Sequence, residues 1–580
     1  MDRLIVVKIA IFLATAAIIF RLFYWQFIAN SDILKNNVVS EDELPAPRGE
    51  IYTRDGFPLV TNQEAFLLFA KPQELSQKVD EIAKILSPYL ISEKHATAEA
   101  QLSQEQEKQK QSEIEKKQEE LIQKLTSRHL FWVQLARKVP LELKEKIQNE
   151  NVTGLGFERD DKRFYPEASM AAHLLGFVAS NKFGQDTGYF GLEGYYDRQL
   201  RGRAGRIGSQ IDPFGFPILV GKYRSIPPKK GSALYLTLDR TVQFIIENRL
   251  QKAVGKYGAR GGTVVVADPN TGHILAMATY PAYNPALFYE EKESAYKNPA
   301  IASTYEPGST FKLITASSAL DLGVIEPDTK CPICSGPRQI GGFEISTWNK
   351  KYYPDSTMTE VIEHSDNIGA TFIAEKLGLS KFYSYIRKFG FAKTTGIDLQ
   401  EETAGLVRDK DQWRQIDLLT ASFGQGIAVT PIQMVQAVSA IANGGRLISP
   451  KVVAKISDGR REEITKSEQT QVLSPKTAAQ VTEIMVNAVE MGEAKAFKPK
   501  GYRIAGKTGT AQIPVSGHYD PHKTIASFIG FAPANDPKFV MLVSFSEPSS
   551  SPFGSETAAP TFFAIASDLF NYYGIAPTND

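Results

Sequence analysis

Two periodicities of apolar residues predict the elements of the 580-residue chain from about residue 241 onward. Helical spacing predicts one helix over Thr241 to Lys256 and another from about Ser309 to Leu322, which Gly323 ends. Small residues at 316–319 indicate that the second helix is closely packed on all sides, rather than lying on the surface with one apolar face.

Strand-like runs stand before and after the helical stretches. Residues 262–268 and 273–279 flank a strong turn sequence, Pro269-Asn-Thr-Gly272, and predict a hairpin. Three more runs follow late in the chain: 503–512, 524–531 and 538–545. Strands at both ends with helices between them predict an antiparallel sheet packed by helices, which is an α+β domain.

The first apolar stretch predicts a membrane anchor. Residues 4–28 are mostly apolar, although the uninterrupted run 9–20 is only 12 residues long, shorter than the roughly 20 that span a bilayer. Lys8 and Arg21 lie near its ends and can snorkel to the interface. A cleaved signal peptide is the alternative, but no small-x-small cleavage pattern is well placed, which favours an uncleaved signal anchor. Arg3 and Lys8 predict a cytoplasmic N-terminus, with everything after about residue 30 outside the cytoplasm.

An insert at about 97–125 is dense in Gln, Glu and Lys and poor in apolar residues. It predicts a solvated helix or a helical hairpin, because no regular heptad is present. An exposed helix without a partner is the simpler interpretation, and a docking arm for another protein is the alternative.

Composition and charge exclude few classes. The chain is 42% hydrophobic and 23% charged, with a net charge of +1, so no global attraction to nucleic acid is expected. The length favours two or more domains. No dinucleotide-binding or P-loop glycine pattern stands out, and no cofactor is expected.

Cys331 and Cys334 are the only cysteines. A zinc site would need two more ligands, and no second pair supplies them, so no metal is expected. A thioredoxin-like role lacks the expected strand–helix context. A local disulfide formed outside the cytoplasm and a pair of free thiols both stay open.

Three short motifs lie in order along the last half of the chain: Ser309-Thr-Phe-Lys312, Ser365-Asp-Asn367 and Lys507-Thr-Gly509. The ordered set is a known signature of serine acyl-transfer enzymes in which lysines, rather than a histidine, manage protons. Taken singly, each motif is more often a helix cap, a turn or a strand end. Their order and local context argue against that interpretation for the set.

The chemistry explains why these residue types are needed. Lys312 is one helical turn from Ser309, at a helix N-terminus whose dipole favours charge on the hydroxyl oxygen. A lysine accepts the serine proton only when neutral, and burial and a second cation, Lys507, both lower its pKa. We expect Ser365 to relay a proton between Lys312 and the leaving amine, and Asn367 to hold a substrate amide.

The third motif belongs to the strand predicted at 503–512. Gly509 is expected to leave room for a substrate backbone lying along a sheet edge. Thr508, Thr510 and Lys507 can then hold a terminal carboxylate.

These residues resemble the class B penicillin-binding proteins, monofunctional peptidoglycan D,D-transpeptidases, over nearly the whole chain. The segments most similar to the division-specific, FtsI-like branch are Glu306-Pro-Gly-Ser-Thr-Phe-Lys312, Ser422-Phe-Gly-Gln-Gly-Ile427 with Thr430-Pro431, and Ala505-Gly-Lys-Thr-Gly-Thr-Ala-Gln512. Segments similar to the family's non-catalytic pedestal, which the elongation-specific branch shares, are Arg48-Gly-Glu-Ile-Tyr-Thr-Arg-Asp-Gly56, Arg163-Phe-Tyr-Pro166 and Gly191-Leu-Glu-Gly194.

The resemblance implies a serine β-lactamase-like transpeptidase domain at 231–575. An elongated mixed α/β pedestal of the dimerisation type would precede it at 31–230, after a tail and transmembrane helix at 1–30. The backbone N–H groups of Ser309 and Thr510 are the implied oxyanion hole.

The resemblance also implies substrates, partners and a location. Stem peptides of peptidoglycan ending in D-Ala-D-Ala would be donors, an amine of another strand would be the acceptor, and β-lactams would acylate Ser309. A SEDS-type glycosyltransferase and other divisome membrane proteins are implied partners. The chain would cross the cell (inner) membrane once, with its catalytic domain extracytoplasmic or periplasmic.

Other functions stay open as alternatives. A class A β-lactamase usually carries a Glu-x-x-Leu-Asn segment between the second and third motifs, and this chain has none. A D,D-carboxypeptidase differs only in using water as the acceptor, which the sequence does not decide. A β-lactam sensor would need several spans and an intracellular effector, and a non-catalytic scaffold would not need all three motifs. The resemblance to the division-specific branch implies a role in septal wall synthesis, with lateral wall growth as the alternative.

Overall fold

The computed structural model describes residues 3–29, 39–95, 104–127, 130–210, 223–515 and 518–578. The chain forms two compact units, each discontinuous in sequence. Unit 1 is built from the described parts of 1–48, 65–160 and 202–231, and unit 2 from those of 49–64, 161–201 and 232–580. The domain boundaries expected near residues 30 and 230 stay predictions.

The predicted membrane segment is helical. Arg3–Phe23 forms an α-helix that continues as a π-helix over Tyr24–Ala29. Within the described parts of the chain, Ile5–Gln26 is the one helical stretch long and apolar enough to cross a membrane, with a mean hydropathy of 2.3.

Unit 1 contains two three-stranded antiparallel sheets and three helices besides this segment. The strands of the first sheet, in spatial order, are Val39–Leu44, Gly205–Gln210 and Tyr223–Ile226. The strands of the second are Val133–Pro140, Ala65–Ala70 and Leu155–Arg159. The helices are Val79–His95, Gln104–Leu125 and Leu141–Asn149.

The polar insert forms the helix Gln104–Leu125, which packs against Val79–His95. Leu121 and Leu125 at its C-terminal end are fully buried, whereas its first turns are polar and mainly exposed. Burial at one end only explains why no regular heptad is present. The described part of the insert is a single helix, and its partner Val79–His95 precedes the insert. Residues 97–103 of the predicted insert lie outside the described residues.

Unit 2 is organised around a five-stranded antiparallel sheet, whose strands we number along the chain. They are β1 (Gly261–Ala267), β2 (Ile274–Tyr280), β3 (Ala505–Val515), β4 (His518–Ala532) and β5 (Phe539–Ser546). Their spatial order is β2-β1-β5-β4-β3. The predicted hairpin and the three predicted late strands are therefore confirmed, and β3 stands at the end of the order.

Alternation along the strands gives this sheet two buried faces. Val265 of β1 belongs to a core that includes the helices Lys312–Asp321 and Pro431–Ala442. Its neighbour Val264 belongs to a second core with the helices Arg240–Tyr257 and Ala558–Tyr572. Because successive side chains of a strand point to opposite faces, a run of consecutive apolar residues is needed to bury both. The predicted α+β architecture is confirmed.

A six-stranded sheet joins early and late parts of unit 2. In spatial order its strands are Glu462–Ile464, Val453–Ser457, Ala233–Leu236, Ile51–Tyr52, Pro58–Gln63 and Lys162–Phe164. Only the pair Ala233–Leu236 and Ile51–Tyr52 is parallel. Through this sheet, residues 49–64 and 161–201 belong to the same compact unit as the motifs.

The remaining elements of unit 2 are short ribbons and helices. The ribbons are Phe177–Ser180 with Asp186–Tyr189, Arg338–Ile340 with Phe343–Ile345, and Arg446–Ile448 with Gln469–Gln471. The α-helices are Ala172–Leu175, Gly191–Tyr195, Asp197–Leu200, Pro299–Ala302, Met358–Glu363, Asn367–Leu377, Leu379–Lys388, Gln415–Ala421 and Pro475–Glu490. Single 3₁₀ turns occur at Pro285–Glu290, Glu293–Ala295, Gly308–Phe311, Lys410–Gln412 and Lys495–Phe497.

Buried charges hold the upstream segments within unit 2. The guanidinium of Arg163 donates twice to one carboxylate oxygen of the fully buried Glu193, over 2.8 and 2.6 Å. The carboxylate of Asp398 accepts from the Tyr196 hydroxyl at 2.8 Å and from the N–H groups of Val452 and Val453 at 2.7 and 2.9 Å. Such charges are tolerated in a core only because each has a full set of partners.

Cys331 and Cys334 are joined by a disulfide, and both are fully buried. The N–H of Cys331 donates to the Ser356 carbonyl at 2.8 Å. The disulfide therefore closes a small loop packed against the core, and the free-thiol alternative does not apply.

Asp398→Ala should lower the free energy of unfolding by about 3 kcal/mol, because two buried N–H groups lose their acceptor. Thermal unfolding of the purified protein measures this, with Asp411→Ala, at an exposed carboxylate, as the matched control. Equal unfolding midpoints for the two variants would contradict the inference that the hydrogen bonds of Asp398 stabilise unit 2.

Candidate active site

The Ser309 turn, which we define as residues 307–311, leads directly into a buried helix. Gly308 has a φ of 54° and opens a 3₁₀ turn, Gly308–Phe311, which continues as the helix Lys312–Asp321. Gly323, with a φ of 61°, follows the helix end as predicted. The predicted helix and its close burial are confirmed, since residues 312–320 are all buried.

The amine of Lys312 lies at the centre of the site. Its Nζ is 3.1 Å from the Ser309 Oγ, 2.5 Å from the Ser365 carbonyl oxygen and 2.8 Å from the Asn367 Oδ1. The Ser365 Oγ is 3.4 Å away. Lys312 is fully buried, and this burial, followed by the nearby charge of Lys507, holds its pKa well below the ordinary value for lysine.

The second motif reaches Lys312 because its backbone turns sharply between two helices. Ser365 has a φ of 56°, in the left-handed region that costs energy for a residue with a side chain. Asp366 then caps the helix Asn367–Leu377, with its Oδ1 accepting the N–H of Ile368 at 2.7 Å. The Nδ2 of Asn367 donates to the Ser346 carbonyl at 2.9 Å. Since a carbonyl can only accept, this bond fixes which end of the amide faces Lys312.

Asp366 had no predicted role beyond its place in the motif. Burial raises the pKa of its carboxyl group, while the nearby Lys312 acts in the opposite direction. Its second oxygen, Oδ2, has no hydrogen-bond partner among the described residues. The three-residue motif does not by itself predict that the Asp366 carboxylate is buried close to the Lys312 amine.

Lys507 lies on β3 and is buried. Its Nζ is 3.0 Å from the Thr508 Oγ1 and 3.3 Å from the Thr508 carbonyl oxygen. Burial lowers the pKa of Lys507 to about 8, while the carboxylate of Glu493 acts to raise it. The two lysines are close enough for the charge of one to lower the pKa of the other, as expected from the sequence.

β3 packs closely against the Ser309 turn. A Cβ on Gly509 would lie 2.8 Å from the Thr310 Cγ2 and 2.5 Å from the Ser527 Oγ. The space left by this glycine is therefore filled by the turn and by β4, so Gly509 serves the fit between β3 and the turn. Its predicted role towards substrate stays a prediction.

The backbone of Thr510 faces the Ser309 turn. The Thr510 carbonyl oxygen is 2.9 Å from the position that a Cβ would take at Gly308. Because N–H and C=O of one strand residue point to the same side in an antiparallel pair, the N–H of Thr510 also points away from β4. Its side-chain Oγ1 accepts the N–H of Gly554 at 3.1 Å.

Two loops with glycines at 424 and 554, for which the sequence predicts no role, pack against the Ser309 turn and β3. The N–H of Gly308 donates to the Gly424 carbonyl at 3.2 Å, and a Cβ on Gly424 would lie 2.3 Å from the Gly308 carbonyl oxygen. A Cβ on Gly554 would lie 2.3 Å from the Gly509 carbonyl oxygen. The Ser-Phe-Gly-Gln-Gly segment at 422–426 resembles the family, but its sequence alone does not predict that the backbone of Gly424 packs against Gly308.

The arrangement brings together Ser309, Lys312, Ser365 and Asn367 by direct contact, with Lys507 close by on β3. A hydroxyl beside a buried amine of lowered pKa can be deprotonated without a histidine. Among the residues that the structure describes, no group of three or more His, Cys, Asp and Glu side chains is placed to hold a metal ion. The geometry supports transfer of an acyl group through the serine.

Two family models match the chain. "Penicillin binding protein transpeptidase domain" matches residues 262–567. "Penicillin-binding protein dimerisation domain" matches residues 43–236. Together they cover most of the sequence.

Curated relatives match along nearly the whole chain. Stage V sporulation protein D of Bacillus subtilis is 33% identical, over 96% of this chain and 83% of its own length. A probable peptidoglycan D,D-transpeptidase PenA of Neisseria meningitidis is 29% identical, over 99% of this chain and 94% of its own length.

A solved structure agrees with the fold. Penicillin binding protein 3 of Mycobacterium tuberculosis, complexed with aztreonam, superposes with a TM-score of 0.69 at 25% identity. The match covers 93% of this chain and 98% of that one.

Gly424→Ala should slow covalent labelling of the protein by a fluorescent penicillin on the order of 100-fold, because the new methyl group displaces Gly308 beside Ser309. Gly444→Ala is the matched control: its φ of +81° is close to the +78° of Gly424, but a Cβ there meets nothing within 4 Å. Both variants carry the same backbone cost, so equal labelling rates would contradict the proposed close fit.

Proposed function

This chain belongs to the class B penicillin-binding proteins, a family of peptidoglycan D,D-transpeptidases, and from this premise we propose that Ser309 is its acylated nucleophile. The observation that carries the proposal is the 3.1 Å contact between the Ser309 Oγ and the Nζ of a fully buried lysine. A stem peptide ending in D-Ala-D-Ala is the proposed donor, and an amine of a second strand is the proposed acceptor.

Hydrogen bonding around Lys312 fits a neutral amine. A neutral amine has two N–H donors and one lone pair. The Ser365 carbonyl and the Asn367 Oδ1 are both acceptors, so they take the two N–H groups. The lone pair is then left for the O–H of Ser309, which makes Lys312 the general base.

In the first half-reaction the Ser309 oxygen bonds to the carbonyl carbon of the penultimate D-Ala. Its proton passes to the Lys312 Nζ, and the peptide bond to the terminal D-Ala breaks. Ser365, whose Oγ is 3.4 Å from that nitrogen, passes a proton on to the leaving amine. In the second half-reaction the acceptor amine attacks the carbonyl carbon of the ester and gives a proton to Lys312. The bond from that carbon to the Ser309 Oγ breaks, and Lys312 returns the proton to the Oγ.

The negative charge on the carbonyl oxygen needs donors placed in advance. We assign this role to the backbone N–H groups of Ser309 and Thr510. The support is the close approach of Gly308 to Thr510, which brings both peptide units to one side of the cleft. Prearranged N–H donors stabilise such an oxyanion without reorganisation in the transition state.

β3 supplies the binding edge for the donor peptide. It is the last strand of its sheet, so an extended peptide can lie along it. Lys507, as a cation, would hold the terminal carboxylate together with Thr508 and Thr510, and Asn367 would hold a peptide amide. β-lactams present a strained amide and a carboxylate in matching positions, which makes them substrates for the same acylation.

A transpeptidase is favoured over a D,D-carboxypeptidase by the name of the Neisseria relative. Ser309, Ser365 and Asn367 all contact the Lys312 amine. A non-catalytic scaffold would not need this arrangement, which argues against that function. Release of D-Ala coupled to formation of cross-linked dimers, rather than trimmed monomers, distinguishes the first two functions.

We also propose that the N-terminal helix anchors the catalytic unit outside the cytoplasm. The support is the apolar helix Ile5–Gln26 and the cations Arg3 and Lys8 before and within it. A SEDS-type glycosyltransferase of the divisome is the proposed partner, with septal wall synthesis as the proposed role, from the motifs shared with the division-specific branch. A fluorescent fusion that labels the side wall instead of the septum would contradict the septal role.

Ser309→Ala should abolish the covalent adduct that a penicillin forms with the protein, because it removes the hydroxyl that lies 3.1 Å from the Lys312 amine. Intact-protein mass spectrometry measures the adduct. Ser303→Ala, at an exposed serine of the same region, should be labelled like the native protein. An adduct that persists in Ser309→Ala would overturn the proposed nucleophile.

Acylation by penicillin should fall as the pH rises through about 8, where Lys507 loses its proton. Below its pKa Lys507 is a cation that attracts the substrate carboxylate, and above it that attraction is lost. Stopped-flow acylation rates between pH 6 and about 10 test this. In Lys507→Arg, whose guanidinium keeps its charge, the alkaline fall should disappear, and a flat profile in the native protein would contradict a charged role for Lys507.

A further inference from the structure

Glu306 has no role in the mechanism above, although it lies three residues before Ser309. Its Oε1 accepts the N–H of Gly426 at 2.9 Å. The hydroxyl of Tyr519 donates to the same carboxylate, 3.1 Å from Oε1 and 3.2 Å from Oε2. One side chain therefore receives donors from two other segments of the chain.

The three residues belong to the three segments that frame Ser309. Glu306 directly precedes the Ser309 turn, and Gly426 follows the Gly424 contact that packs on this turn. Tyr519 lies at the start of β4, paired with Pro514 of β3. The carboxylate thus links the turn, the glycine loop and the far end of the hairpin that carries Lys507 and Thr510.

The protonation states suit a lasting contact. Burial raises the pKa of Tyr519 to about 12, and the neighbouring Glu306 carboxylate adds to this effect. The phenol therefore keeps its proton and can donate throughout the physiological pH range. Tyr519 is 43% exposed, so the contact is not a deep core bond.

The contact lies where a small movement would affect the reaction. The proposed oxyanion hole takes one N–H from the Ser309 turn and one from Thr510 of β3, and the two segments are in close backbone contact there. β3 has a partner strand on one side only in the described sheet. A link from the hairpin back to the turn restricts movement of its unpartnered side.

We propose that Glu306 is a positioning residue, which acts through Tyr519 to hold the β3–β4 hairpin against the Ser309 turn and so sets the distance between the two oxyanion N–H groups. This inference rests on the proposed function of Ser309 and Thr510. The hydrogen bonds of the Glu306 carboxylate go to Gly426 and Tyr519 rather than to Ser309 or Lys312, so we assign it a positioning role and no chemical step.

Four variants test the link: Tyr519→Phe, Glu306→Ala, Glu306→Gln and the double variant Glu306→Ala/Tyr519→Phe. Each is compared with Tyr195→Phe, which removes the hydroxyl of a tyrosine that is 49% exposed and lies outside the elements that frame Ser309. Acylation by a fluorescent penicillin is resolved into its limiting rate and its half-saturating concentration. Amide hydrogen exchange of residues 505–515 and thermal unfolding are recorded on the same full-length proteins.

We expect Tyr519→Phe and Glu306→Ala each to lower the limiting rate about tenfold, since the oxyanion donors remain but lose their fixed separation. The half-saturating concentration should change little. Glu306→Gln should recover most of the rate, because its amide oxygen can accept from both donors. The double variant should be no slower than Glu306→Ala, and exchange across 505–515 should be faster in every slow variant while the unfolding temperature stays near that of Tyr195→Phe.

Limiting rates within twofold of the native protein in Tyr519→Phe would overturn the proposal, even if Glu306→Ala were slow, because the Gly426 bond alone would then matter. Additive losses in the double variant would overturn it as well. The proposed nucleophile is judged separately: if the native protein is labelled and Ser309→Ala is not, the function stands whatever these variants show. If Ser309→Ala is still labelled, the function fails first and this inference with it.

Discussion

The catalytic unit depends on keeping one lysine amine out of water. Lys312 is fully buried, and a buried cation is costly unless it is paired or gives up its proton. The cage of Ser309, Ser365 and Asn367 offers oxygen partners but no opposite charge in direct contact. The surrounding helices therefore lower the pKa of this amine by excluding water, at a cost in stability that the proposed role of Lys312 as a base would explain.

Much of this could be predicted from the sequence because the information is local. The helix after Ser309, the hairpin at 262–279 and the late strands follow from periodicity and turn residues within a few positions. The contact of Ser309 with Lys312 follows from helical spacing alone. The likeness of the whole chain to one family then fixed which distant segments had to meet.

Other parts depend on contacts between segments far apart in sequence, and local patterns do not specify them. The backbones of Gly424 and Gly308 can come close because neither residue has a side chain. From the sequence alone, each glycine could equally be explained by a turn. The sequence around Asp398 is that of an ordinary loop aspartate. Its role depends on the N–H groups of Val452 and Val453, which lie more than fifty residues away in sequence. The polar insert was recognised by composition, but its pairing with Val79–His95 rests on a few apolar residues at one end.

The position of β3 at the end of its sheet has a consequence for the whole molecule. A strand with free backbone groups invites pairing with any extended chain, including another copy of the same protein, and so risks aggregation. Pro514 lies within β3 and has no N–H to offer. It cannot donate a ladder hydrogen bond beyond the Lys507–Thr510 stretch, which disfavours longer pairing with another chain there.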